Sequence, residues 1–142
     1  MKERITISII FPIFAIIFGI KLNFQEFLMG SPATVKNLIV TFVYIAIWTY
    51  VLTITSKSKN RIMKYYSAFW LLTLLFAILT GFINMSGANI DWSWAIPFVI
   101  LLLTQWYGIG LFIDNFLIST IIISSLSLIM FIATIYSLKR TN

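Results

Sequence analysis

The sequence predicts an all-α membrane protein, a small polytopic bundle of transmembrane helices, on three observations. Of its 142 residues, 61% are hydrophobic and 10% charged, with a mean hydropathy of +1.01. A soluble domain carries about a quarter charged residues, so this chain has too few to clothe a globule in water. Its apolar runs approach the roughly 20 helical residues needed to cross a hydrocarbon layer about 30 Å thick. Its one long polar interruption, TSKSKNRIMK at 55–64, holds four of the ten basic residues (Lys57, Lys59, Arg61 and Lys64) and no acid. Such a stretch reads as a cytoplasmic loop, because Lys and Arg are retained on that side of a membrane.

The first span is residues 5–20, behind a charged head with Lys2 and Arg4. Its core is long for a signal peptide, and KLNFQEFLMG after it offers no small-x-small cleavage site, so it reads as an uncleaved span able to run on toward Met29. Pro12 falls in its early part, where a proline can bend a helix. Gly30, Ser31 and Pro32 mark a turn. The second span, 38–54, carries Tyr44, Trp48 and Tyr50, and the third, 67–83, is entered through Tyr65, Tyr66 and Trp70. Rings at these positions read as an interfacial belt around the basic loop.

NMSGANID at 84–91 is a second turn, slightly acidic, as suits the opposite face. Asp91 or Ser93 can cap the next helix, with Trp92 and Trp94 as its anchors and Pro97 tolerated near its start. The fourth span is 95–113, weakened by Gln105, Gly108 and Gly110. Asp114 and Asn115 break it from the fifth, 116–138, and Lys139 and Arg140 follow.

Hydropathy and charge disagree about the fourth span. With five crossings and the N-terminus inside, the cytoplasmic side holds Lys2, Arg4, Lys57, Lys59, Arg61 and Lys64, six basic residues, against Lys21, Lys36, Lys139 and Arg140 outside, four. If the fourth segment enters and returns without crossing, Lys139 and Arg140 come inside and the count is eight against two. Five spans are preferred, because a re-entrant backbone must be buried in protein or line a watery cavity, and so small a chain has few neighbours to bury it. Four spans plus a re-entrant segment is the alternative.

The sequence suggests no catalytic constellation. It contains no cysteine or histidine, which excludes disulfides, thiol nucleophiles and thiolate or imidazole metal sites. The acids Glu3, Glu26, Asp91 and Asp114 form no helical pair for acid–base work, and no phosphate-cradling glycine motif is present. No cofactor is implied. The net charge of +6 sits at span ends, where orientation and anionic headgroups account for it better than nucleic acid does.

Two constellations remain. Gln105, Trp106, Tyr107 and Asp114 place polar groups at membrane depth, where they are costly and mark candidate ligand or ion sites. The small residues Ala15 and Gly19, then Thr73, Ala77 and Gly81, recur every four residues and would let helices pack closely, with Thr120, Ser124 and Ser127 as a similar stripe. The expected role is that of a non-catalytic accessory, regulatory or immunity-type component of a cell membrane. It would act through lipids and through another membrane protein or self-association. A small-solute or ion transporter or channel subunit, working as an oligomer, is the alternative. Richness in Ile, Phe, Asn and Lys fits an AT-rich bacterial genome, and no family is recognised.

Overall fold

The computed structural model describes residues 2–56, 60–87 and 91–140, so Lys57 and Lys59 of the basic loop lie outside the described residues. The chain forms α1 (Lys2–Met29), α2 (Val35–Thr55) and α3 (Asn60–Ser86). A 3₁₀ turn (Ser93–Ala95) then leads into α4 (Ile96–Leu103), which continues as a second 3₁₀ stretch (Thr104–Leu111), and α5 (Phe116–Arg140) follows. No strand occurs among the described residues. Five segments are long and apolar enough to cross a membrane, Ser93–Leu111 counted as one. The protein is thus an all-α helical bundle of the kind expected, with helices longer than the apolar runs that announced them. Helix α1 continues through Pro12 and past Lys21, and α3 already includes Arg61 and Lys64, both exposed.

The ends of α1 and α2 follow from local chemistry. Gly30 adopts a left-handed φ of 62°, which a residue with a Cβ rarely takes, and Ser31 N–H bonds back to the Glu26 carbonyl at 3.1 Å. Helix α2 starts where the Asn37 side chain reaches back to accept the Thr34 N–H at 2.7 Å.

Each long helix turns one narrow seam inward. The buried residues of α2 are Asn37, Thr41, Tyr44, Trp48, Val51 and Thr55, spaced alternately four and three apart. In α3 they include Met63, Tyr66, Trp70, Thr73 and Ala77, and in α5 they are Thr120, Ser127 and Thr134. A repeat of seven is the spacing of helices that pack along a shallow left-handed crossing. The faces turned away are apolar, with Ile13, Phe42, Leu75 and Ile129 among the many exposed large side chains. The interior is therefore more polar than the exterior, which is the reverse of a water-soluble fold.

This seam overturns the reading of the aromatic residues as an interfacial belt. Tyr50 and Tyr65 are exposed, but Tyr44, Trp48, Tyr66, Trp70 and Trp106 are buried. The rings of Trp48 and Trp70 meet edge to face at 4.9 Å, and Tyr44 meets Trp106 at 5.5 Å. Spacing decides the matter: 44 and 48 fall on the α2 seam with 41 and 51, and 66 and 70 on the α3 seam with 63 and 73. Residues 50 and 65 fall outside both seams.

Contacts define two ends of the bundle. Thr55 Oγ1 donates to Ser8 Oγ at 2.7 Å, and Tyr66 hydroxyl donates to the Ser8 carbonyl, so the start of α1, the end of α2 and the start of α3 meet at the basic end. The 30–34 turn lies at the far end. There α5 begins: a Cβ on Gly81 would sit 2.6 Å from Thr120 Cγ2. Helices α3 and α5 form the most extensive pairing in the bundle. They run antiparallel, and 25 residues of α5 at about 1.5 Å each carry Arg140 back to the basic end.

The fourth segment takes a different course. Trp94 and Phe98 pack on Phe76 of α3, with ring centroids 6.3 and 5.2 Å apart. At its deepest, Gln105 touches Gly19 and Ile16 of α1. Within five residues the chain then climbs back to the far end, where Tyr107 hydroxyl donates to the Ser31 carbonyl and Gly110 faces Ala33. Apart from its flanking residues Asp91, Trp92 and Phe112, the described hydrogen bonds and ring contacts of the segment reach residues 16–44 and 70–76. The segment is long and apolar enough to cross a membrane, and within the bundle it enters from the far end and comes back to that end.

The α3–α5 contact supplies a first test. Gly81→Leu is expected to destabilise the bundle by about 1–3 kcal/mol through overpacking, read as thermal unfolding in detergent. Thr120→Ser, which removes the opposing methyl, should restore part of the loss only in the Gly81 variant. Independent effects of the two substitutions would contradict the contact.

Candidate functional site

The returning segment divides the far half of the bundle into a polar knot on the α1–α2 side and a cavity on the α3–α5 side. The knot exists because eight residues of 3₁₀ helix, Thr104–Leu111, bond their own backbone poorly. In lipid such groups must find partners within the protein. Asn23 Nδ2 donates to the Thr104 carbonyl at 2.9 Å, and Thr41 Oγ1 donates to the Gln105 carbonyl at 2.7 Å while accepting the Gly108 N–H at 3.1 Å. Asn37 Nδ2 donates to Asn23 Oδ1 at 3.0 Å, which ties the knot to the cap of α2. Asn23, Asn37, Thr41, Thr104 and Gln105 are all buried.

Close approach makes the knot possible. A Cβ on Gly108 would lie 2.3 Å from the Asn37 carbonyl oxygen and 2.4 Å from Leu38 Cα, so only glycine lets the segment lie against the α2 backbone. Gly110 is less constrained, its nearest neighbour being Ala33 Cβ at 3.4 Å. Gly19 makes room for Gln105, whose Cγ would be 2.5 Å from a Cβ there. The Gln105 amide donates to the Leu101 carbonyl at 2.9 Å and lies 3.4 Å from that of Ile16, while its Oε1 has no partner among the described residues. The neighbours that receive this backbone are thus Asn23, Asn37, Thr41 and Gly19, with Gly108 of the segment itself allowing the close approach.

The cavity has a volume of about 860 Å³. The 30–33 turn, the returning segment, Ala77 and Thr80 of α3 and the first turns of α5 line it, and it is open on one side. Trp106, Tyr107 and Asp114 line it, whereas Gln105 lies on the knot side. Three of the four candidate site residues are therefore together and the fourth is separate. Ser31, Thr80, Ser119 and Thr120, which sequence reasoning did not connect with Asp114, complete the polar part of the lining. Apolar walls come from Phe27, Leu103, Ile113 and Phe116 among others.

The other residues singled out in the sequence have plain places. Ala15, Thr73 and Ala77 are buried on their seams, and Gly81 meets α5. Ser124 is half-buried. Asp91 accepts the Ser93 hydroxyl and, at 2.9 Å, its backbone N–H, and these bonds hold its carboxyl below the usual carboxylate range. Lys36 and Glu26 form an ion pair at 2.5 Å near the cap of α2. No group of three metal-ligating residues occurs among the described residues.

The knot makes a graded prediction. Gly108→Ala should abolish or strongly reduce folded protein, and Gly110→Ala should be tolerated, as judged by monodisperse yield. Asn23→Leu and Asn37→Leu should each cost about 1–2 kcal/mol, and together less than the sum, since they share one bond. Additive losses in thermal unfolding would contradict the chain of bonds. Comparison with known proteins supplies no shortcut from this site to an activity: no protein family, curated protein or solved structure matches the chain.

Proposed function

We propose that this protein is a non-catalytic integral membrane component that works by binding, in an accessory, regulatory or immunity-type role in a bacterial cell membrane. In this reading α1, α2, α3 and α5 cross the bilayer and Ser93–Leu111 is re-entrant. Arg4, residues 55–64 and Arg140 then face the cytoplasm. Charge supports the orientation. Among the described residues, the helix ends that carry Lys2, Arg4, Arg61, Lys64, Lys139 and Arg140 lie at one end of the bundle, and Lys21 and Lys36 lie elsewhere.

The observation that carries the binding role is how the interior polar side chains are used. Asn23, Asn37 and Thr41 are consumed in holding the returning segment, and the cavity beside that segment ends against Leu103 and Trp106. A row of free polar groups from end to end, as a conduit needs, does not run through the knot. The arrangement suits a rigid receptacle or docking element that engages lipids, another membrane protein or a second copy. The second reading, a transporter or channel subunit, draws support from the same cavity, since Tyr107 and Asp114 lie in its lining.

Two measurements separate these readings. A fluorescent reporter that folds only in the cytoplasm, fused after Asn142, should fluoresce, and a dark but membrane-inserted fusion would overturn the four-crossing topology. Purified protein in sealed vesicles should support no ion or solute flux above empty vesicles. A flux lost in Asp114→Asn would replace the binding role with transport.

A further inference from the structure

We propose that the cavity beside Asp114 binds an amphipathic organic cation, an ammonium group carried on an aromatic or aliphatic body. The inference rests on the binding role above and names the class of ligand, but it does not depend on which face of the membrane the cavity opens to.

Size and wall chemistry set the body of the ligand. A volume of about 860 Å³ falls in the range of small-molecule sites, roughly 300–1,000 Å³. The walls are largely aliphatic and aromatic, with Phe27, Trp106, Tyr107 and Phe116 among them. Phe27 and Tyr107 meet edge to face at 5.7 Å, which presents a ring face and a ring edge rather than two stacked faces.

The sign of the charge follows from where the protons of the lining already go. Five side-chain hydroxyls line the cavity, those of Ser31, Thr80, Tyr107, Ser119 and Thr120. Four have given their protons to the protein. Tyr107 donates to the Ser31 carbonyl, Thr80 to Phe76 O at 2.6 Å, Thr120 to Phe116 O at 2.8 Å and Ser119 to Ile113 O at 3.3 Å. What these oxygens retain is lone pairs, so toward a ligand they act as acceptors. Asp114 adds a carboxylate, and no lysine or arginine lines the cavity.

Most of the donors that would favour an anion are occupied. The start of α5 would offer backbone N–H groups, but Asn115 Oδ1 accepts those of Leu117 at 3.0 Å and Ile118 at 3.3 Å. Trp106 keeps an indole N–H without a partner among the described residues, yet its ring is packed against Tyr44 and Trp70 in the core. Lys36, a cation of the far end, is paired with Glu26. A lining of acceptors with one carboxylate and apolar walls is complementary to a group rich in donors, positively charged and attached to an apolar body.

The test uses the intact protein in nanodiscs of zwitterionic lipid, which leave both faces open, with empty nanodiscs as the blank. The probes are 4-phenylbutylammonium and its charge-reversed counterpart 4-phenylbutyrate, followed by calorimetry and by tryptophan fluorescence. The ammonium should bind saturably at one site per chain and the carboxylate should not. Asp114→Asn, a change at an exposed side chain, should weaken the ammonium about two- to fivefold, the range of a solvated ion pair. Ile123→Trp, which fills the cavity from α5, should abolish binding while the thermal transition is kept. Equal binding of both probes, no saturable binding, unaltered affinity in Asp114→Asn, or a phospholipid that stays bound and cannot be displaced would each overturn the proposal. Because the discs carry no orientation, a negative result here leaves the reporter measurement of topology standing, and the reverse also holds.

Discussion

A backbone that leaves the α-helical pattern inside lipid must have its N–H and C=O groups satisfied by the rest of the protein, since no water is there to do it. The structure is organised around meeting that requirement for eight residues, Thr104–Leu111. An unmatched carbonyl or amide in this setting costs about 1–3 kcal/mol or more, so a few of them would outweigh the stability of a small bundle. Thr41 answers two such groups with a single hydroxyl, as donor to Gln105 and acceptor from Gly108, and Asn23 answers a third. Asn37 orients Asn23 and caps α2 with the same side chain. The start of α2, the middle of α1 and the turn of the fourth segment are thereby one unit.

The same setting explains why the core is polar and aromatic. In water a helix buries its apolar stripe, but in lipid both faces of a helix are apolar and burial of hydrocarbon gives no preference. What distinguishes the inward face is close packing and hydrogen bonding, which small and hydroxyl-bearing residues permit. Gly81 of α3 therefore meets Thr120 of α5 across the most extensive helix pair, and Thr73 and Ala77 of α3 and Ser127 and Thr134 of α5 are buried on the same seams. The aromatic group of Tyr44, Trp48, Trp70 and Trp106 fills the remaining space at the centre, where the α1–α2 pair and the α3–α5 pair meet the fourth segment. Its edge-to-face contacts give the indole edges a polarisable surface in place of water.

How much of this was legible in the chain depends on which force wrote it. Hydrophobicity writes membrane helices plainly, so the five apolar segments and the turns at Gly30 and Asp114 could be read directly. The small stripes at 15 and 19 and at 73, 77 and 81 could be read because size is visible in a residue name. The belt reading failed because an aromatic residue is equally at home at an interface and in a packed core. Only the heptad phase shared with Thr41, Val51, Met63 and Thr73 tells the two apart. The path of the fourth segment was hidden for a deeper reason. Asn23 lies 81 positions from the carbonyl it satisfies and Thr41 lies 64 and 67 positions from its two backbone partners, and the steric need for Gly108 depends on where α2 passes. Charge pointed the same way as the contacts: a fourth segment that comes back to the end it left puts Lys139 and Arg140 at the end of the bundle where α1 begins with Lys2 and Arg4.

The fourth segment also couples the two sides of the far half. Its successive residues face opposite ways: Gln105 is held on the knot side by its own amide and by Gly19, while Trp106 and Tyr107 contribute to the cavity wall. A 3₁₀ helix places side chains at three per turn, so one residue of slippage would rotate Tyr107 away from Ser31 and Gly108 away from Asn37 together. The glycine contact and the tyrosine bond therefore enforce the same register from two directions. A wall fixed in this way is suited to recognition, because its acceptors and ring faces keep their spacing before anything binds, and little ordering remains to be done on association. The polar groups buried in the knot are thus connected with the cavity without lining it. Asn23 and Asn37 set the position of the backbone, and that backbone holds Tyr107 in place and leads to Asp114.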